Sequence, residues 1–496
     1  MTDTTDTADA SRTDQWETVV GLEVHVELAT VTKLFCACPN LFGAEPNTNI
    51  CPVCLGLPGS LPVLNERVVE FALRVGEAFH FDVPERSIFH RKNYFYPDMP
   101  KDFQTTQYDE PICLAGWLDV DGVRVGITRA HLEEDTGKSV HLGGGGRIHD
   151  ASHSLVDYNR AGVPLMEIVS EPDMRSSEQA RRYVEELRAT LLAIGVSDVK
   201  MEEGSLRVDA NISVRHYGDE FGTRAEIKNV NSLRSLARAI DYEHDRQIEM
   251  LERGERVKQE TRHWDEEAGC TRPGRSKEEP DDYRYFPEPD LVPIAPSAEL
   301  RAHVRASMPE LPAAQRTRLI DEWGINDHEA GVLLSTPGLA EYAETAVVAL
   351  DGGGTPKDVV NWATNDVLSY VNETGLSPAL LAPEMLAELV RLVGDGTISR
   401  NQARDVLAES LREEKWPKAI VSERGLAQVS DEGALGAAVD DVLAQNADAV
   451  EEWRSGDDKV KKKKRGFLMG ECMKALKGQG NPQLLNRLLD ERLARG

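Results

Sequence analysis

The stretch Gly21-Leu-Glu-Val-His-Val-Glu-Leu28 decides how the first half of the chain is read. Its strict alternation predicts a strand with Glu23, His25 and Glu27 on one face and Val24, Val26 and Leu28 on the other. The apolar face asks for a core, and a Glu-x-His-x-Glu face asks for a use. Further on, His131-Leu-Glu-Glu-Asp-Thr-Gly-Lys138 gathers Glu133, Glu134 and Asp135. Folded against the first strand, that cluster would place oxygen ligands beside the His25 imidazole, a set that suits a hard divalent cation, Mg²⁺ or Mn²⁺. Such a cation points to phosphate chemistry. The alternative is a solvated strand face and an unrelated charged turn.

A chain of 496 residues exceeds what one core can organise, so two or three domains are expected. No apolar run approaches the roughly 20 residues of a bilayer span. Met1 to Asp14 is rich in Thr and Asp, unlike a signal or transit peptide, so a disordered acidic segment over residues 1–15 and a cytoplasmic protein without membrane contact are expected. The net charge is −28, and arginine outnumbers lysine about two to one. Acid spread along the whole chain fits a halophilic cytoplasm, where the Debye length shrinks to about 3 Å near 1 M salt. The total charge therefore says little about partners, and local basic clusters say more.

Seven cysteines without a secretion signal argue against a disulfide framework. Four of them stand as Cys36-x-Cys38 and Cys51-x-x-Cys54, with Pro39, Pro52, Gly56, Pro58 and Gly59 supplying turns. Two close pairs across a short loop have the spacing of a tetrathiolate zinc knuckle over residues 36–54. Four thiolates leave no open position, so the Zn²⁺ would be structural. Cys113, Cys270 and Cys472 read as small core residues.

Residues 16–294 mix strands and helices. Strands are expected over 19–28, 126–131, 206–214 and 223–227, and helices over 176–194, capped by Ser176 or Ser177, and over 232–253. Past Pro287 to Pro296 the pattern turns helical, giving a helical region at 295–425 and a small helical tail at 426–496. The fold class is α+β, with helical domains behind it. The tail carries the one dense basic block, Lys459-Val-Lys-Lys-Lys-Lys-Arg465, read as a loop leading into a helix and offering cations and backbone N–H groups to RNA phosphates.

Other segments add chemistry. Phe89-His-Arg-Lys-Asn-Tyr-Phe-Tyr-Pro-Asp98 interleaves cations with aromatics, which suits a base and a phosphate. Segments 157–173, 201–213, 226–232 and 281–290 place polar groups at strand ends, where one site could collect them. A phosphate loop is excluded: Gly137-Lys138-Ser139 would need a glycine at position 132, which is Leu132. Neither a Gly-x-Ser-x-Gly elbow nor a supported cysteine nucleophile is present, so any hydrolysis feeding this site must come from elsewhere.

The ordered segments 21–28, 91–98, 131–138, 157–173, 201–213, 226–232, 281–290 and 466–482 together resemble one family, the B subunit of the tRNA-dependent aspartyl/glutamyl amidotransferase. The resemblance implies a mixed-sheet, cradle-like catalytic domain, an all-α helical domain and a small tail similar to the YqeY family. It implies a heterotrimer with an amidase-type A subunit and a small C subunit. It also implies the reaction: ATP phosphorylates the side-chain carboxylate of a misacylated tRNA, and ammonia released from glutamine displaces phosphate, a carbon–nitrogen ligase activity. Under it, Glu23, His25 and Glu134 hold Mg²⁺ with Glu133 nearby. Arg91 and Lys92 contact phosphates, with Lys138, Tyr94, Asn159 and Arg160 as further substrate contacts, and Lys461, Lys462, Lys463, Lys464, Arg465 and Lys474 contact tRNA. Two other readings stay open: the related archaeal E subunit, disfavoured because 296–425 leaves no room for its added domain, and a catalytically silent zinc and RNA-binding scaffold.

Overall fold

In a computed structural model, the described residues are 16–143, 151–274, 280–336, 338–374, 381–427, 431–476 and 479–495. The segment 1–15, expected to be disordered, lies outside them. The chain divides into two compact units, Met1–Pro312 and Ala313–Gly496.

The first unit is built on a sheet of eleven strands among the described residues. In chain order these are β1 (Trp16–Glu27), β2 (His90–Asn93), β3 (Phe103–Thr106), β4 (Cys113–Val120), β5 (Val123–Glu134), β8 (Pro164–Ser170), β9 (Leu206–His216), β10 (Ala225–Val230), β11 (Thr261–Asp265), β12 (Cys270–Pro273) and β13 (Phe286–Pro287); β6 (Lys138–Leu142) and β7 (His153–Asp157) form a separate hairpin. The strand order is β12-β11-β10-β9-β1-β8-β5-β3-β2-β13, with β4 on β5. The β10–β11 pair is parallel and every other pair is antiparallel, so the sheet is mixed.

β1 sits in the middle, paired with β8 on one side and β9 on the other. Its even-numbered residues Val20, Leu22, Val24 and Val26 are fully buried. They pack in one core with three helices, α1 (Glu66–Ala78), α2 (Ser177–Ala193) and α3 (Leu233–Glu252). Ser176, one of the two expected caps, and Ser232 cap the last two, accepting from the backbone amides of Gln179 and Ser235. The unit runs past residue 294 because Leu300, in α4 (Ala298–Ala306), and Met308 and Leu311 pack against the same core.

β5 would present the wrong residues if its pleat were regular. Its register with β8 shifts between Ile127 and Arg129, a bulge that changes parity. Ile127 before it and Ala130 and Leu132 after it are all buried in the core. Arg129, His131 and Glu133 are thereby turned to the opposite, polar face, which β1 enters with Glu23 and His25.

The second unit is helical among its described residues. One core gathers side chains from Leu319 to Val421, and another gathers side chains from Leu435 to Leu493. The basic block is not a loop. It lies inside the helix Asp458–Ala475, whose start is capped by Asp457 accepting from the Val460 amide.

Candidate active site

The polar face of the sheet forms a cleft of about 530 Å³. Pairing in register brings its groups together. His25 lies opposite Glu167 of β8, and Glu167 lies opposite His131 of β5. On the other side Glu23 lies opposite Asp209 of β9. Directly opposed residues of antiparallel strands share a face, so side chains far apart in sequence converge.

Two groups of possible cation ligands result. In each, one ligand atom per residue lies within 4.8 Å of the others: His25, Glu133 and Glu167 in one, Glu23, Asp209 and Glu226 in the other. His25 Nε2 is 3.3 Å from Glu167 and 3.8 Å from Glu133. His131 Nε2 stands 3.8 Å from Glu167 and 3.9 Å from Glu133. In the second group Lys228 Nζ is 2.7 Å from Asp209 and 3.5 Å from Glu226, Asn211 donates to Glu23 at 3.0 Å, and Thr261 donates to Glu226 at 2.7 Å.

The electrostatics separate the two. Burial, then the charge of Glu167, pushes the Glu133 carboxyl up to about 7. Burial alone would lower His25, but the hydrogen bond and charge of Glu167, with Glu133, push it up to about 9. Glu167 is held well below the usual carboxylate range: burial opposes this, and His131 and His25 overcome it. Burial lowers His131 to about 4. In the first trio His25 and Glu133 are both raised, so the site draws protons, and its donor set, one imidazole and two carboxylates, fits a divalent cation. The second already encloses the Lys228 ammonium, held above its ordinary value by Asp209 and Glu226 against the effect of burial.

The expected ligand Glu134 is not in either group. Neighbouring strand residues face opposite sides, so Glu134 turns away from the cleft, pairs with Lys101 and accepts from the Thr105 amide at 2.8 Å. Glu23 and His25 share the face as read, but belong to different trios. The same alternation divides Arg91 from Lys92. Lys92 lines the cleft, whereas Arg91 is held by Glu288 at 2.7 and 2.8 Å and by Asp290 at 3.1 Å.

The remaining candidates are also placed outside the cleft lining. Tyr94 stacks on Tyr96 with centroids 4.6 Å apart, and Lys138 is exposed at the start of β6. Asn159 accepts from the Asn49 amide and donates to the Glu45 carbonyl, tying two loops together. Arg160 donates to the carbonyls of Thr136 and Gly137 and lies 3.4 Å from Asp135. Arg207 reaches Asp135 at 2.9 Å and, with Arg160, holds that carboxyl below its ordinary range against burial. Partial burial, then the charge of Asp135, pushes Glu27 up to about 7.

Glu167, Asp209 and Glu226 were not among the expected site residues. The available signal is an acid set into a β-branched apolar strand: Glu167 in Leu165-Met-Glu-Ile-Val169, Asp209 in Leu206-Arg-Val-Asp-Ala210.

Away from the cleft, Cys36, Cys38, Cys51 and Cys54 bring their sulfurs within 4.8 Å of one another. A hydrogen bond from Cys36, with the Lys33 charge nearby, lowers the Cys54 thiol to about 5 although burial opposes it. In the tail, Lys464 is paired with Glu452 at 2.7 Å and Arg465 with Asp490 at 2.6 Å, Lys461 lies 5.7 Å from the centre of the Trp453 ring, and Lys462 and Lys463 are exposed. Lys474 lies 3.6 Å from Glu471.

Comparison with known proteins matches this architecture to two family models, the GatB/GatE catalytic domain over residues 18–302 and the GatB domain over residues 342–493. The chain is 52% identical to the B subunit of the aspartyl/glutamyl-tRNA(Asn/Gln) amidotransferase of Frankia casuarinae, over 97% of this chain and 96% of that one. It is 51% identical to the corresponding protein of Moorella thermoacetica, over 97% of this chain and 100% of that one, and 49% identical to that of Carboxydothermus hydrogenoformans, over 97% and 99%. The chain belongs to the family of aspartyl/glutamyl-tRNA amidotransferase B subunits.

Proposed function

We propose that this chain is the carboxylate-activating subunit of a tRNA-dependent amidotransferase. It uses ATP to phosphorylate the side-chain carboxylate of Asp-tRNA(Asn), Glu-tRNA(Gln) or both. Ammonia released from glutamine by an amidase-type partner then gives the amide, and Asn-tRNA(Asn) or Gln-tRNA(Gln) enters translation. A small third subunit completes the heterotrimer, which works in the cytoplasm.

The observation that carries this reading is the convergence of His25, Glu133 and Glu167 on one sheet face, one ligand atom of each within 4.8 Å of the others. These residues would hold Mg²⁺ or Mn²⁺, which when bound supplies the charge neutralisation that phosphoryl transfer requires. Lys92, on the same cleft wall, offers a further cation to the phosphates. His131 lines the same cleft, 3.8 Å from Glu167 and 3.9 Å from Glu133. The substrate carboxylate is itself the nucleophile, so the absence of a serine or cysteine nucleophile from the motifs costs the reaction nothing. Enclosure by the cleft walls limits loss of an acyl phosphate to water.

The four cysteines would hold structural Zn²⁺, and the exposed lysines of the tail helix would meet tRNA phosphates. The acid excess is read as adaptation to a salt-rich cell interior, so assays belong in high KCl. The test is amide formation on Asp-tRNA(Asn) and Glu-tRNA(Gln) with the A and C partners, ATP, Mg²⁺ and glutamine. ATP-dependent amidation of either supports the reading and identifies the substrate. Binding of both tRNAs without amidation would leave the scaffold reading in its place.

A further inference from the structure

One wall of the cleft is aromatic, and the carboxylate chemistry gives it no role. Tyr108 and Tyr285 stack with ring centroids 4.3 Å apart and planes 8° from parallel. Tyr283 meets Tyr285 edge-on at 6.1 Å, and the Lys92 ammonium lies 4.6 Å from the centre of the Tyr283 ring. All four side chains line the same cleft as His25, Glu133 and Glu167.

The backbone is committed to this wall. Arg284, between the two tyrosines, has φ 47°, a left-handed conformation that is costly for a residue with a Cβ. Asn93 holds it there by donating to the carbonyls of Tyr283 at 3.0 Å and Arg284 at 2.8 Å. Adjacent residues of β2 therefore place the cation and brace the rings. Tyr108 is the open member of the stack, 39% exposed. An aromatic pair serving only the core would be covered, whereas a flat apolar surface left facing a charged cleft suits the π-face of a base.

We propose that the Tyr108–Tyr285 stack is the adenosine platform of the cleft, seating an adenine base while Lys92 meets the attached phosphate. The inference rests on the function proposed above, and two substrates of that reaction carry this chemistry: ATP, and the 3′-terminal adenosine of the aminoacyl-tRNA. The platform serves whichever of them it distinguishes in the following test.

In the reconstituted complex, KM and dissociation constants for ATP and for aminoacyl-tRNA are measured separately in Tyr108→Ala, Tyr108→Phe, Tyr285→Ala and Tyr285→Phe. Each alanine variant should weaken one substrate by about tenfold to a hundredfold, the range of a lost base stack, and leave the other unchanged. Each phenylalanine variant should restore binding to within about threefold, because stacking needs the ring and not the hydroxyl. A loss confined to ATP assigns the platform to the nucleotide, and a loss confined to tRNA assigns it to the acceptor end. If folded Tyr108→Ala binds both substrates as the parent does, the platform is refuted. Tyr108 is the exposed ring, so this variant decides the matter even if Tyr285→Ala fails to fold. A parent complex that binds ATP and tRNA but forms no ADP would refute the proposed function while the binding arms still judge the platform.

Discussion

Glu133 and Glu134 are consecutive and serve opposite sides of the sheet: Glu133 lies 3.8 Å from His25 in the cleft, and Glu134 accepts from the Thr105 amide at 2.8 Å on the other side, paired with largely buried Lys101. Their variants should fail in different ways. Glu133→Gln should keep the fold and lower amidation about a hundredfold or more, as expected when a cation ligand is lost. Glu134→Ala leaves Lys101 buried and uncompensated, and should destabilise by about 3–5 kcal/mol. Thermal unfolding beside single-turnover amidation separates the two. Equal stability loss in both variants would contradict the division of faces.

His131 gives a pH signature. Its folded value is about 4, against an ordinary 6.5, because burial disfavours the imidazolium. As pH falls through 6.5 the unfolded chain takes up this proton and the folded chain does not, so stability is lost between about pH 6.5 and 4. His131→Gln should lack that part of the slope, on the order of 3 kcal/mol across the window. Urea unfolding at pH 7 and pH 4.5 checks this in metal-free protein. Parallel pH profiles for parent and variant would contradict it.

The cysteine cluster should carry one zinc per chain, measured by elemental analysis, and Cys51→Ser should lose it. Stripping the metal with a chelator should lower the unfolding temperature, since binding to the folded state alone is linked to folding. A zinc-free preparation with an unchanged unfolding temperature would refute a structural site.

The tail lysines should divide by their partners. Lys462→Glu and Lys463→Glu change exposed cations, and should weaken tRNA binding and flatten its salt dependence by about one counterion each. Lys464→Ala removes a side chain already engaged by Glu452 and should matter less. Fluorescence titrations of tRNA at several salt concentrations report both slopes. Identical behaviour of the three variants would mean that this helix face does not meet RNA.

The legibility of the chain follows the physics of each segment. β1 could be read because its alternation is unbroken and each face has one chemistry. β5 could not be read to the residue: a bulge near Thr128 changes parity, and a Glu-Glu pair carries no sign of which carboxylate faces the cleft. Glu167 is a single acid in an apolar run, and its meeting with His25 depends on strand register, which the local sequence does not encode. The adjacency of Arg91 and Lys92 hid their opposite directions in the same way. The basic block has no helical periodicity of its own. Its helix rests on a cap at Asp457, and its pairings with Glu452 and Asp490 come from neighbouring helices.

Whether His25, Glu133 and Glu167, and not Glu134, hold the cation used in carboxylate activation is decided by ADP formation on misacylated tRNA, with ammonium chloride supplied in place of glutamine, in Glu167→Gln and Glu134→Gln complexes. Ammonium removes any dependence on the partner's glutaminase. Glu167→Gln should lose ADP and amide together while folded Glu134→Gln still forms ADP. ADP formation at the parental rate in Glu167→Gln, with loss in folded Glu134→Gln, would contradict it.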